Sequence, residues 1–159
     1  MQSITIICVG KLKEAYWKQA CEEYCKRLGS HQVTIVEIGE ERLPENPSQA
    51  QIEAGLKAEA KHILEKIPQG SIVVPLCIEG KQVSSVELAK KMNTWAVNGS
   101  SKVSFIIGSS FGLDDSVKQK GDFCLSMSPM TFPHQLARIM VLEQLYRVSQ
   151  IEKGGKYHK

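Results

Sequence analysis

A chain of 159 residues, 42% hydrophobic and 23% charged, has the make-up of one soluble domain (residues 1–159) with room for a real core. No apolar run approaches the roughly 20 residues of a membrane span, and Met1–Gly10 enters a strand pattern with no basic leader or cleavage site, so no signal peptide and a cytoplasmic location are expected. A net charge of +3 permits a nucleic-acid partner without requiring one, and five scattered cysteines do not make a disulfide framework.

In chain order, Ile4–Val9 reads as a strand, and Gly10-Lys11-Leu12 turns into a helix over Glu14–Leu28, closed by Gly29. On that helix Cys21 and Cys25 lie one turn apart with no second ligand pair, so buried thiols and no metal site are expected. Val33–Ile38 is a second strand, and Gly39–Ser48, with two prolines, is a surface loop. Ser48 caps a helix running to Ile67, and Pro68-Gln69-Gly70 is a turn. Ile72–Ile78 is an apolar strand whose Pro75 lacks a ladder donor and so belongs at an edge or a break in pairing. Glu79-Gly80-Lys81 reads as the next turn. Ser84 and Glu87 form a capping box for a helix ending at Asn98-Gly99. Val103–Ile107 is a buried strand, Asp114–Lys120 a short helix and Phe123–Ser126 a last strand. Strands alternating with helices argue for an α/β fold with a mostly parallel sheet flanked by helices.

The loop Met127–Thr131 leads through Pro133 into a helix reaching Ile151. That helix is apolar around most of its circumference, so it is expected to be buried on more than one side. It carries Arg138, Glu143 and Arg147, and the last two, four apart, share a face. Charges on so apolar a helix require partners.

Gly108–Gly112 matches G-x-S-x-G between a strand and a helix. With Asp122 and then His134 or His158 downstream, it suggests a small serine hydrolase using Ser110. Against that, the chain has too few strands for that fold and no oxyanion segment of the H-G-G-G type. The bland alternative is a tight turn that brings backbone close to a ligand. There is no dinucleotide fingerprint after the first strand and no phosphate loop. What remains is a pocket at the carboxyl ends of three strands, walled by Leu76–Lys81, Gly108–Gly112 and Met127–Phe132. Its small neutral walls suit an adenosine moiety held in an apolar slot.

Val9-Gly10-Lys11-Leu12-Lys13, Ile78-Glu79-Gly80-Lys81, Ile106-Ile107-Gly108, Leu125-Ser126, Met130-Thr131-Phe132-Pro133-His134-Gln135, Glu143-Gln144-Leu145-Tyr146-Arg147 and Tyr157-His158-Lys159 together resemble the RlmH family along the whole chain. These are SPOUT-class, S-adenosylmethionine-dependent methyltransferases of large-subunit ribosomal RNA. The resemblance implies a C-terminal trefoil knot and a homodimer with its active site near the interface. It implies N3 methylation of a pseudouridine in helix 69 of 23S rRNA within assembled ribosomes. By position it implies cofactor contacts at Leu76, Gly108, Met127, Ser128, Pro129, Met130, Thr131 and Phe132. It places substrate and catalytic roles on Glu143, Arg147, Tyr157 and His158. The chain departs from the family at Ser109, where a second glycine is usual.

On that reading, positioning for in-line attack is the protein's main contribution. The imide N3 attacks only after losing its proton, and His158 is the candidate base. Tyr157 is expected either to stack on a base or to anchor the tail by burial, and Arg147 either to hold phosphate or an imide oxygen or to pair with Glu143. His134, in the first turn of its helix, reads as structural. Lys11, Lys13, Lys81, Lys153, Lys156 and Lys159 are expected on an RNA-facing surface. A non-enzymatic ribosome-binding protein is the further alternative.

Overall fold

In the computed structural model, residues 2–29 and 31–159 are described. Burial along β1 (Ser3–Val9) decides the architecture. Ile4, Ile6 and Cys8 point into one core, Ile7 and Val9 into another. A strand buried on both faces lies inside a sheet with helices on either side. The other elements follow: α1 (Ala15–Arg27), β2 (Gln32–Ile38), α2 (Gln49–Lys66), β3 (Ile72–Lys81), α3 (Ser85–Val97), β4 (Lys102–Ile107), α4 (Asp115–Lys120) and α5 (His134–Glu152). The sheet is parallel throughout, in the order β2-β1-β4-β3.

The larger core lies between the sheet and α1, α3 and α5, around Phe105, Met92, Leu142 and Leu145. The smaller lies under α2 and α4, around Ile63, Ile106 and Val117. Capping fixes where the helices on both sides begin. Ser48 with Gln51, and Ser84 with Glu87, form full capping boxes. Asp114 accepts from the Ser116 N–H at the start of α4. Among the described residues no helix is long and apolar enough to cross a membrane.

α5 packs against α1 and α3. Arg138 is only 2% exposed, and among the described residues its two terminal nitrogens find partners while its buried Nε finds none. It donates to the Glu37 carboxylate (3.0 Å) and to the Gly10 carbonyl (3.2 Å), fastening α5 to the ends of β2 and β1. A half-buried face remains on α5, formed by Leu136, Met140, Glu143 and Arg147 at helical spacing.

Two expectations need correction. Phe123–Ser126 is not a strand. Leu125 makes only isolated bridges, to Leu76 and Lys81. The reason lies upstream: Asp122 already occupies the free edge of β3. Its carboxylate accepts from the Val73 N–H (2.8 Å) and its N–H donates to the Val73 carbonyl (2.8 Å). The chain then crosses the end of β3 and forms no ladder along it. Glu79-Gly80-Lys81 is not a turn either, but the end of β3. Lys81 donates to the Cys124 carbonyl (2.9 Å) and accepts from the Ser126 N–H (3.0 Å), which keeps it extended. Gly80 serves that crossing, because a Cβ there would lie 2.7 Å from the Cys124 oxygen. The helix expected over Glu14–Leu28 is α1, with those two residues as its caps. Pro75 behaves as its chemistry requires, on the edge strand and in the last register pair with β4.

Candidate active site

The second half of β3, the loop following β4, residues 127–133 and the first turn of α5 enclose a cavity of about 630 Å³. Leu76, Gly108, Met127, Ser128, Met130, Thr131 and Phe132 all line it; Pro129 does not. Ser109, Ser110, Phe111, Lys118, His134 and Ala137 complete much of the wall.

Each wall has a local cause. At Gly108 a Cβ would sit 2.3 Å from the Gly112 carbonyl oxygen, so the β4 loop closes on itself only with glycine there. Gly112 itself has φ +89, and its N–H donates to the Ser109 carbonyl (2.9 Å). In the third wall, the Ser128 hydroxyl accepts from the Met130 N–H (3.0 Å), and the Ser126 hydroxyl donates to the Ser128 carbonyl (3.2 Å). These bonds curl residues 126–130 into a fixed bend. His134 packs on bare Gly10, where a Cβ would meet its ring at 2.8 Å. At the mouth, Lys118 and Glu79 pair at 2.6 Å. The pair holds the Glu79 carboxyl below its usual range and raises Lys118. Lys118 escaped the sequence reading because nothing marks a lysine on a short polar helix as facing a site.

The polar residues expected to act on substrate form a second cluster. Arg147 donates through Nε to Glu143 (2.7 Å), and the Tyr157 hydroxyl bonds both Glu143 oxygens at 3.1 and 3.2 Å. The Arg147 guanidinium lies 4.9 Å from the centre of the Tyr157 ring, which meets Tyr146 edge-on at 4.7 Å. Glu143 also hydrogen-bonds Tyr24, pushing that phenol up to about 12. Tyr157 is raised too, by desolvation and then by Glu143. Arg147 Nη1 and His158 Nδ1 are 3.3 Å apart. A guanidinium only donates, so Nδ1 accepts and the ring proton sits on Nε2.

Glu143, Arg147, Tyr157 and His158 are thus brought together, but none of them lines the cavity. With a rise of about 1.5 Å per residue, Glu143 lies about 13 Å and Arg147 about 20 Å along α5 from His134. Within one chain, the two halves of the expected site are apart. Among the described residues Ser110 has no triad: His134 shares the cavity wall but packs on Gly10, the Asp122 carboxylate is bound to the β3 backbone, and His158 belongs to the distant cluster.

Residues 2–158 match the family model described as predicted SPOUT methyltransferase. The chain belongs to the SPOUT methyltransferase family. The family is the one the sequence resembles. Its fold is shared by a methylase-family protein from Neisseria gonorrhoeae, with a TM-score of 0.57 at 15% identity, covering 99% of this chain and 87% of that one. The SpoU methyltransferase AviRb from Streptomyces viridochromogenes is a looser likeness, with a TM-score of 0.49 at 12% identity; it covers 96% of this chain and 61% of that longer one. For a SPOUT methyltransferase the methyl donor is S-adenosylmethionine, and the cavity fits one. Its volume of about 630 Å³ lies within the roughly 300–1,000 Å³ of small-molecule sites. Its floor at Gly108 is bare backbone, which any side chain would fill.

Proposed function

We propose that this SPOUT methyltransferase acts on RNA, transferring the methyl group of S-adenosylmethionine to N3 of a pseudouridine in helix 69 of 23S rRNA, in assembled ribosomes. The observation that carries the reading is the convergence of the end of β3, the loop after β4 and residues 127–133 on one cavity, with all but one of the expected cofactor residues on its wall. The sequence resemblance supplies the acceptor.

When bound, S-adenosylmethionine supplies an activated methyl on a sulfonium. The chain's own work is to orient and to move a proton. Gly108, Met127 and Thr131 hold the donor, and Lys118 with Glu79 stands at the mouth. The acceptor N–H must lose its proton before attack. His158 presents its lone pair at Nδ1, which Arg147 engages in the resting arrangement. Once Arg147 turns to a phosphate or to an imide oxygen, Nδ1 is free to take that proton. Glu143 holds Arg147 and Tyr157 in place until then.

The working unit in this reading is a homodimer. The half-buried α5 face of Leu136, Met140, Glu143 and Arg147 suits a second copy. Pairing across it would let the tail of one protomer serve the cavity of its partner, joining the two halves that lie apart within one chain. The test is methyl transfer from labelled S-adenosylmethionine to ribosomes that lack the modification, followed by mass mapping of 23S rRNA. Label at N3 of a helix 69 pseudouridine is expected. Label elsewhere refutes the acceptor, and no S-adenosylmethionine binding refutes the reading as a whole.

A further inference from the structure

Two opposite charges stand side by side on the cavity wall. Glu79 lies near the end of β3 and Lys118 on α4, and their carboxylate and ammonium meet at 2.6 Å. Among the described residues that line the cavity, no other is an Asp, Glu, Lys or Arg. His134 is also on the wall, but its ring packs on Gly10. The rest is apolar side chains, glycine, hydroxyls and the Cys77 thiol.

The fold fixes both positions. β3 runs on past Pro75, its last register partner with β4, and its end stays extended because Lys81 bonds Cys124 and Ser126. Gly121 lets the end of α4 lie against the same strand, since a Cβ there would sit 2.7 Å from the Pro75 ring. The Lys118 backbone is held by three bonds. Its N–H donates to the Asp114 carbonyl (3.3 Å), and its carbonyl accepts from the Gly121 N–H (3.0 Å) and the Cys124 thiol (3.6 Å). The side chain thus reaches the cavity from an anchored base. It is 30% exposed and that of Glu79 63%. Ion pairs this open to water stabilise a fold little, so stability is a weak reason for placing both charges here.

The charge distribution of the donor gives a stronger one. S-adenosylmethionine is uncharged at its adenosine end. Its other end carries an ammonium and a carboxylate on one carbon, in addition to the sulfonium. Apolar and glycine walls suit the first half, whereas the second leaves water at a cost unless opposite charges meet it. Lys118 and Glu79 present a positive and a negative group next to each other, the complement of that zwitterion. Their pairing uses one of the three Lys118 donors and one Glu79 oxygen, so each can take a ligand group without first releasing the other.

We propose that Lys118 and Glu79 form the receptor for the amino-acid end of S-adenosylmethionine, Lys118 binding its carboxylate and Glu79 its ammonium. The proposal rests on the reading of this cavity as the donor site.

Calorimetry with three ligands tests it, with circular dichroism confirming that each variant is folded. The ligands are S-adenosylmethionine, its decarboxylated form, which keeps the ammonium and the sulfonium, and methylthioadenosine, which lacks the amino-acid end. Lys118→Met removes the positive charge and keeps the bulk of the stem. It should weaken S-adenosylmethionine about tenfold and should not weaken the other two. Glu79→Gln should weaken both ammonium-bearing ligands about threefold and leave methylthioadenosine unchanged; the loss is smaller because Lys118 is released from its partner. Lys118→Arg keeps a carboxylate partner and should bind S-adenosylmethionine within about threefold of wild type. Wild-type affinity for S-adenosylmethionine in folded Lys118→Met overturns the proposal. An equal loss for all three ligands does so too, because it marks a distorted cavity and not a lost charge. If the wild type binds neither S-adenosylmethionine nor methylthioadenosine, the donor-site reading itself fails, a result distinct from either of these.

Discussion

Replacing Gly108 by alanine tests the donor loop most directly. The added Cβ would lie 2.3 Å from the Gly112 oxygen and 2.6 Å from its carbon, and 3.0 Å from Leu113 Cδ2. Real Cβ contacts respect about 3.0 Å, so the Gly112 peptide must retreat by about 0.7 Å (3.0 − 2.3). Two of the three obstacles are backbone, which cannot swing aside as a flexible side chain does. Overpacking of this kind costs about 1–3 kcal/mol. At about 2 kcal/mol the unfolding midpoint should fall by about 4–8 °C for a chain of this size. Because Gly108 and Gly112 both line the cavity, the displaced peptide also changes its floor, and S-adenosylmethionine affinity should fall by about 10–100-fold. Calorimetry on protein held well below its midpoint reads the affinity, and circular dichroism reads the midpoint. A lowered midpoint with wild-type affinity would mean that the loop relaxes away from the cavity and that the donor does not rest on it.

A chain ending at Gly155 loses Tyr157 and His158 but no cavity residue, so it should bind S-adenosylmethionine normally while methyl transfer to ribosomes drops about 100-fold or more; near wild-type transfer would dismiss the tail as catalytic. The Lys118–Glu79 pair gives a pH signature. The folded pKa of Glu79 is depressed, so the pair's contribution is complete above the ordinary carboxylate range and is lost as pH falls through the lowered value. The difference in unfolding midpoint between wild type and Glu79→Gln should therefore close in acid, and a constant difference from neutral to strongly acid solution would contradict the pairing. Among the thiols, a hydrogen bond from Cys21 lowers Cys25 to about 7, whereas burial pushes Cys8 and Cys77 up to about 12. Iodoacetamide at neutral pH should label Cys25 first by peptide mass spectrometry, and earlier labelling of Cys77 would count against this.

Local chemistry made most of the fold readable. Ser84 and Glu87 stand at the spacing a capping box needs, and Pro75 can only sit where a donor is dispensable, so both could be placed before any contact was known. The cavity was readable for a similar reason, since loops at the carboxyl ends of parallel strands converge on one side of the sheet. Contacts between distant segments were not readable. Gly80 looks like a turn glycine until Cys124 is seen crossing against it, and Leu125 looks like a strand residue until Asp122 is found on the edge of β3. The grouping of Glu143 and Arg147 followed from helical spacing, whereas the fold-back of Tyr157 and His158 onto them depends on the turn after α5, where Gly154 takes φ +65.

The Asp122 contact also governs how the sheet meets other chains. An open strand edge is a template for polymerisation, because its free amides and carbonyls accept any extended segment. On the β3 side, both backbone groups of Val73 are taken by Asp122, and Pro75 offers no amide two residues further on. On the β2 side, Gln32, Thr34 and Glu37 are exposed along the strand, and no segment covers that edge among the described residues. A foreign strand could add to β3 only after the 121–126 segment had been peeled away. Partly opened molecules should therefore grow fibrillar contacts from β2 first, and adding charge along β2 should suppress heat-induced aggregation more than the same charge placed along β3.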